Sequence, residues 1–124
     1  MGRWGRFGIC CWLIAHGAIA QQSAISPERF QQKLDRAIEL NTTAPWRESQ
    51  EVLDELRPHL PIASDEQFAE HAYLEARNLT LSGDLPGALD KIDALLARDM
   101  TAEQRIRTFR LGANVAILAR RFEA

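Results

Sequence analysis

The chain has 124 residues and a formal net charge of −2 at pH 7. This length is enough for one small domain with a modest core, and the acidic excess argues against a nucleic-acid-binding surface, which would carry a basic stripe. Residues 104–124 depart from that balance, because five arginines stand there against one glutamate. We interpret these arginines as a solvated helix face, with a partner surface as the alternative.

The first 20 residues have the three parts of a secretory signal peptide. Arg3 and Arg6 form a positive start, residues 7–15 are largely apolar, and an Ala-Ile-Ala exit occupies residues 18–20. The apolar part is shorter than the roughly 20 residues that a membrane-spanning helix needs. We therefore expect cleavage after Ala20, with an uncleaved membrane anchor as the alternative.

Both cysteines, Cys10 and Cys11, lie within that segment. The mature chain, residues 21–124, would then have no disulfide and no thiolate metal site, although it enters an oxidising compartment. Small secreted animal domains usually depend on disulfides, so their absence favours a bacterial periplasmic protein. Loss of the two signal-segment arginines leaves 13 basic against 17 acidic side chains, a formal charge of −4.

Helix signals begin directly after the signal segment, and the sustained alternation typical of strands is missing from the sequence. Ser26 is placed to cap a helix that begins at Pro27, and residues 41–44 are expected to break it. A second helix is predicted from Pro45, and Pro61 is expected to end it.

Three further helices are predicted from their end signals. Ser64 with Gln67, and Thr101 with Gln104, have the spacing of capping boxes at the starts of the third and fifth helices. Gly83 is placed to end the third helix in a left-handed conformation, and the fourth begins directly after it. The mature chain is therefore predicted to be all-α, with about five helices.

The helices recur in pairs. Ala37, Ala76 and Ala113 each lie midway along the first helix of a unit, 39 and 37 residues apart. In the second unit the turn Gly83-Asp84-Leu85 follows, and then Ala88 near the start of the next helix. This pattern resembles the tetratricopeptide repeat, in which a Gly-Asp-aromatic turn follows a small mid-helix residue at a spacing of roughly 34 residues.

The resemblance implies antiparallel helix pairs that stack as a solenoid, each pair burying its apolar edge against its neighbour. The residues expected to pack the repeats are Ala37, Ser49, Leu53, Leu56, Ala76, Gly83, Ala88, Ile92, Leu95 and Ala113. It also implies a concave face, lined by the first helix of each pair, for a protein, peptide or small-molecule ligand. The expected contacts on that face are Gln32, Arg36, Tyr73, Arg77, Arg110 and Asn114.

The third unit has a first helix and then reaches the last residue of the sequence. Ile106, Phe109, Ala113 and Ala116 would present an apolar face without a partner helix. We therefore expect a domain truncated at its C-terminus, or the front of a longer protein, with self-association through the last helix as a possible consequence of the open face.

Secreted helical arrays of this kind resemble the periplasmic N-terminal sensor regions of bacterial diguanylate cyclases and, more weakly, of sensor histidine kinases. The resemblance implies a protein-binding or sensory input module, tethered to a membrane in a longer parent protein whose catalytic domain lies elsewhere. A free-standing secreted scaffold or adaptor is the first alternative. A small secreted enzyme or metal-binding protein is the second.

Residues suited to catalysis or to a cofactor do not converge in the sequence. His71 and Glu75 lie four apart on a predicted helix, but further metal ligands at suitable spacing are lacking, so we interpret them as a surface charge pair. Gly83 and Gly87 lack the other glycines of a phosphate loop. We expect no catalytic, cofactor or metal site in this chain, no nucleic-acid partner, and no membrane span in its mature part.

Overall fold

The computed structural model describes residues 24–123, with side chains up to residue 121. This part of the chain contains five α-helices and no strand, which confirms the all-α prediction. The helices are α1 (Pro27–Thr43), α2 (Trp46–Leu56), α3 (Asp65–Ser82), α4 (Leu85–Leu96) and α5 (Ala102–Glu123). A 3-10 segment, Arg57–Ile62, joins α2 to α3. The predicted signal segment lies outside the described residues.

The helix ends follow from local side-chain chemistry. In the capping box of α3, the Ser64 hydroxyl accepts a hydrogen bond from the Gln67 amide at 3.1 Å, and Gln67 Oε1 accepts one from the Ser64 amide at 3.0 Å. Thr101 and Gln104 make the same reciprocal pair before α5, at 3.2 and 3.3 Å. Gly83 ends α3 with φ of 91°, in the left-handed region that favours glycine.

The first helix runs farther than predicted, because the break expected at residues 41–44 occurs only after Thr43. Asn41 usually favours turns, but here its side-chain amide is buried and donates to Oδ1 of Asn78 on α3 at 2.7 Å. The Thr43 hydroxyl donates to the carbonyl of Glu39, one turn earlier. The Asn41 amide nitrogen and the Thr43 hydroxyl therefore find acceptors while their residues stay helical, although Oδ1 of Asn41 is buried without a partner among the described residues, and the turn propensity does not prevail.

Helix α3 is the central element of the packing. It contacts α1, α2, α4 and α5, and α1 packs most extensively on α2 while α4 packs on both α3 and α5. Residues of α3 enter all three buried apolar clusters: Leu74 packs with α1 and α2, Ala76 with α4 and α5, and Ala72 with Leu95 of α4. The small side chains of Ala76 and Ala88 are fully buried where α3 crosses α4.

Most of the residues expected to pack the repeats are buried, and Gly83 lies in the turn that it was expected to form. The buried members of that set are Ala37, Ser49, Leu53, Leu56, Ala76, Ala88, Ile92 and Leu95. Ala113 differs, because it is exposed. Helix α5 turns Gly112 and Val115 toward α4 instead, and a Cβ atom on Gly112 would lie 3.2 Å from Cγ2 of Ile92. The packing role predicted for Ala113 is therefore corrected to Gly112 and Val115.

None of the described helices combines the length and the hydropathy needed to cross a bilayer.

Candidate ligand-binding groove

A groove of about 500 Å³ runs between α3 and α5. This volume lies within the range of small-molecule and side-chain-binding sites. We name it the α3–α5 groove, and its lining residues are Tyr73, Arg77, Thr80, Leu81, Arg107, Arg110, Leu111, Asn114 and Leu118. Residues three or four apart share one face of a helix, and this spacing brings the lining residues of each helix to the same side.

Four of the six residues predicted to contact a ligand line this groove together: Tyr73, Arg77, Arg110 and Asn114. The other two, Gln32 and Arg36, lie exposed on α1 and are not among its lining residues. Arg36 forms an ion pair with Glu39 at 2.9 Å. The structure therefore brings together the α3 and α5 candidates and leaves the α1 candidates apart.

Arg107 is the lining residue that orders the groove, and sequence reasoning missed it. Its guanidinium forms an ion pair with Glu70 and stacks 4.5 Å from the centre of the Tyr73 ring. These two contacts hold the arginine in one orientation. The signal for it was present, because Glu70 and Arg107 lie 37 residues apart, the same spacing as the mid-helix alanines of the second and third units.

The rim of the groove is positively charged. Among the described residues, neither Arg77 nor Arg110 forms an ion pair with an acidic side chain. The guanidinium groups are available for a carboxylate or another planar anion, which arginine binds through two parallel hydrogen bonds. The Tyr73 ring and the leucine side chains supply apolar surface beside these charges. The groove thus suits a ligand that has both an apolar part and an anionic part.

Hydrogen bonds made by side chains link α1 to α3 and α3 to α5. Three of them join two side chains, and in the fourth Gln104 Nε2 donates to the backbone carbonyl of Glu66. The bonded pairs are Gln31 with Gln67, Asn41 with Asn78, Glu66 with Gln104, and Glu70 with Arg107. The partners are 36, 37, 38 and 37 residues apart, respectively. A nearly constant sequence separation therefore relates the bonded residues of α1 to those of α3, and those of α3 to those of α5.

The pair formed by His71 and Glu75 is buried, so the surface position expected for it is wrong. His71 is 1% exposed and Glu75 is 7% exposed. His71 Nδ1 lies 2.9 Å from Glu75 Oε1, and Nε2 lies 2.9 Å from the carbonyl oxygen of Leu53 on α2. A carbonyl and an ionised carboxylate only accept hydrogen bonds, so each ring nitrogen of His71 faces an acceptor.

Two cationic side chains reach the same carboxylate from other elements. Lys91 Nζ of α4 lies 3.0 Å and Arg57 Nη2 lies 3.2 Å from Glu75 Oε2. Burial alone would raise the pKa of Glu75, but the hydrogen bonds and charges of His71 and Lys91 outweigh it and lower the pKa to about 2. Glu75 is therefore ionised at neutral pH, and its carboxylate links α3 to α4 and to the 3-10 segment.

Within the part of the chain that the structure describes, no group of three or more His, Cys, Asp or Glu side chains is placed to hold a metal ion.

Comparison of the chain with protein-family models, curated proteins and solved structures finds no match. The tetratricopeptide resemblance consequently rests on the residues of the chain itself.

Proposed function

We propose that this chain is a periplasmic, protein- or peptide-binding sensory module built from stacked tetratricopeptide-like helix pairs. Its ligand binds on the face formed by α1, α3 and α5. The nearly constant sequence step between the hydrogen-bonded residues of these helices supports the stacking. In such arrays each unit contacts mainly its neighbours, and the face along the stack is free for recognition.

One observation carries the proposal: the α3–α5 groove gathers Tyr73, Arg77, Arg110 and Asn114 in a single cavity of about 500 Å³. Aromatic and arginine side chains are the types that contribute most to binding energy at interfaces. An apolar side chain of a peptide would occupy the groove beside Tyr73, while an acidic group of the same peptide would pair with Arg77 or Arg110.

We further propose that the module is the input part of a longer membrane signalling protein, of the diguanylate cyclase kind. This part of the proposal rests on the resemblance of the overall architecture, which is an argument from analogy. Its test is the DNA that follows the codon for Ala124. A membrane span followed by a cyclase or kinase domain is expected there, and a stop codon would contradict the proposal in favour of a free-standing adaptor.

Peptides selected from a random library against the purified chain test the binding function. Their affinities, measured by fluorescence anisotropy, should fall about ten-fold or more for Arg77→Glu and for Arg110→Glu, because interface arginines are frequent hot spots. Arg47→Glu is the matched control, since Arg47 is an exposed arginine on α2, outside the groove. Selected peptides that bind all three variants equally well would show that the groove is not the binding site.

A further inference from the structure

Helix α5 carries an exposed apolar stripe that is separate from the groove. Ile106, Phe109 and Ile117 are 59%, 56% and 53% exposed, and Ala113 and Ala116 are exposed between them. We name these five residues the α5 stripe. The described part of the chain has five exposed large hydrophobic residues, and three of them lie in this stripe. Single exposed apolar residues are ordinary, but a contiguous set on one face marks an interaction site.

The spacing within the stripe fits a second helix. Ile106, Phe109, Ala113 and Ala116 alternate steps of three and four residues, which is the a and d pattern of a helix that packs against another helix. The alanines allow close approach of a partner backbone. Arg120 occupies the next position of the same series, so the apolar seam ends there after two heptads.

The positive charges beside the stripe favour a partner with acidic side chains. Arg110, Arg120 and Arg121 each lie four residues, about one turn, after a stripe residue. None of the three forms an ion pair with an acidic side chain in the described range. The whole helix has five arginines and two glutamates. Pairing with the same helix of a second copy would therefore bring like charges together, whereas an acidic helix would neutralise them.

We propose that the α5 stripe binds an amphipathic helix of a partner protein, with an apolar seam flanked by aspartate or glutamate. The apolar seam supplies the buried area, and the arginines set the choice of partner. The apolar residues of this site are separate from the α3–α5 groove, because none of the five stripe residues lines that groove, and Arg110 is the one flanking arginine that borders both.

Two synthetic helical peptides test the proposal on the purified full chain. They share one apolar heptad seam and differ only in their flanking positions, which are glutamate in one and lysine in the other. The glutamate peptide should bind about ten-fold more tightly at low salt, as expected for two or three exposed ion pairs. Arg120→Glu combined with Arg121→Glu should reverse the preference. Phe109→Ser should abolish binding of both peptides, while Ile62→Ser, at an exposed isoleucine far from α5 in sequence, should leave it unchanged.

A further helix of the same chain, encoded after Ala124 and packed on the stripe, would overturn the proposal, and so would three outcomes of the peptide experiment. The first is equal affinity for the two peptides, and the second is unchanged binding by Phe109→Ser. The third is a dimer of the chain, seen by analytical ultracentrifugation, that Phe109→Ser dissociates, because this would assign the stripe to a second copy. Arg77→Glu should not alter binding of either peptide. A failure of the stripe proposal is therefore distinguishable from a failure of the groove proposal.

Discussion

Nδ2 of Asn41 on α1 donates a hydrogen bond over 2.7 Å to Oδ1 of Asn78 on α3, a residue 37 positions later in the chain. Both side chains are buried, and Asn78 also donates to Oε1 of Gln50 on α2 at 3.0 Å. A hydrogen bond between two buried amides forms in only one relative position of their helices, because any slip separates the donor from its acceptor. The pair therefore sets the register of α1, α2 and α3.

Replacement of Asn78 by alanine should destabilise the fold. It removes the acceptor of the Asn41 amide and leaves that amide buried, at an expected cost of about 1–3 kcal/mol in the free energy of unfolding. Urea denaturation followed by circular dichroism measures the change. Thr42→Ala, next to Asn41 but exposed, should have an effect well below this range. Equal midpoints for wild type and Asn78→Ala would show that the amide pair does not hold the register.

The close crossing of α3 and α4 gives a second prediction. Ala76 and Ala88 are each 0% exposed in one buried cluster, so Ala76→Leu and Ala88→Leu should each overpack the crossing and cost about 1–3 kcal/mol. Ala94→Leu is the control, because Ala94 is exposed on the same α4 helix. Thermal melts that coincide for all three variants would contradict the close-contact role of the two buried alanines.

The helix boundaries that were predictable are those that depend on a few neighbouring residues. The capping boxes at Ser64 and Thr101 and the left-handed Gly83 are set within four positions of the chain, so their residue types were sufficient. The end of α1 was not predictable in this way. Asn41 extends the helix because its amide meets Asn78, a contact that exists only after α1 and α3 have packed.

The candidate site residues also divide into those that local sequence could place and those that depend on helix packing. Helical periodicity was enough to place Tyr73 with Arg77 on one face, and Arg110 with Asn114 on another. It could not show that the groove joins the two faces, nor that Gln32 lies outside it, since both depend on how the helices pack. The i, i+4 spacing of His71 and Glu75 does not distinguish an exposed helix face from a buried one, so their burial could not be inferred from the spacing.

The expected export of the chain through its signal segment gives a prediction about residues that precede the described part of the structure. Ala18 and Ala20 provide the small side chains that signal peptidase requires behind a short apolar run. Mass spectrometry of the chain, expressed with its own N-terminus in a bacterium and recovered from the periplasm, should find Gln21 as the first residue. Ala20→Leu should impair this cleavage. An intact Met1 in the membrane fraction of cells that express the wild-type chain would identify the segment as an anchor instead.

The last prediction concerns the acid stability that Glu75 confers. Its pKa is lowered in the folded state from an ordinary value of 4.5 to about 2, so the unfolded chain binds more protons at this position between those two values. The contribution of the ionised carboxylate to stability is therefore complete above about pH 4.5 and is lost as the pH falls toward about 2. Glu75→Gln removes this contribution, along with the charge that Lys91 and Arg57 contact.

At neutral pH, Glu75→Gln should lower the free energy of unfolding by a few kcal/mol, because it removes a buried negative charge that Lys91 and Arg57 contact. The difference from wild type should narrow steadily between about pH 4.5 and pH 2. Urea denaturation at a series of pH values measures it, and Glu51→Gln, an exposed glutamate on α2, corrects for general charge effects. A Glu75→Gln difference that stays constant across this range would mean that the carboxylate titrates alike in both states. The ion pairs of Glu75 with Lys91 and Arg57 would then contribute no pH-dependent stability to the fold.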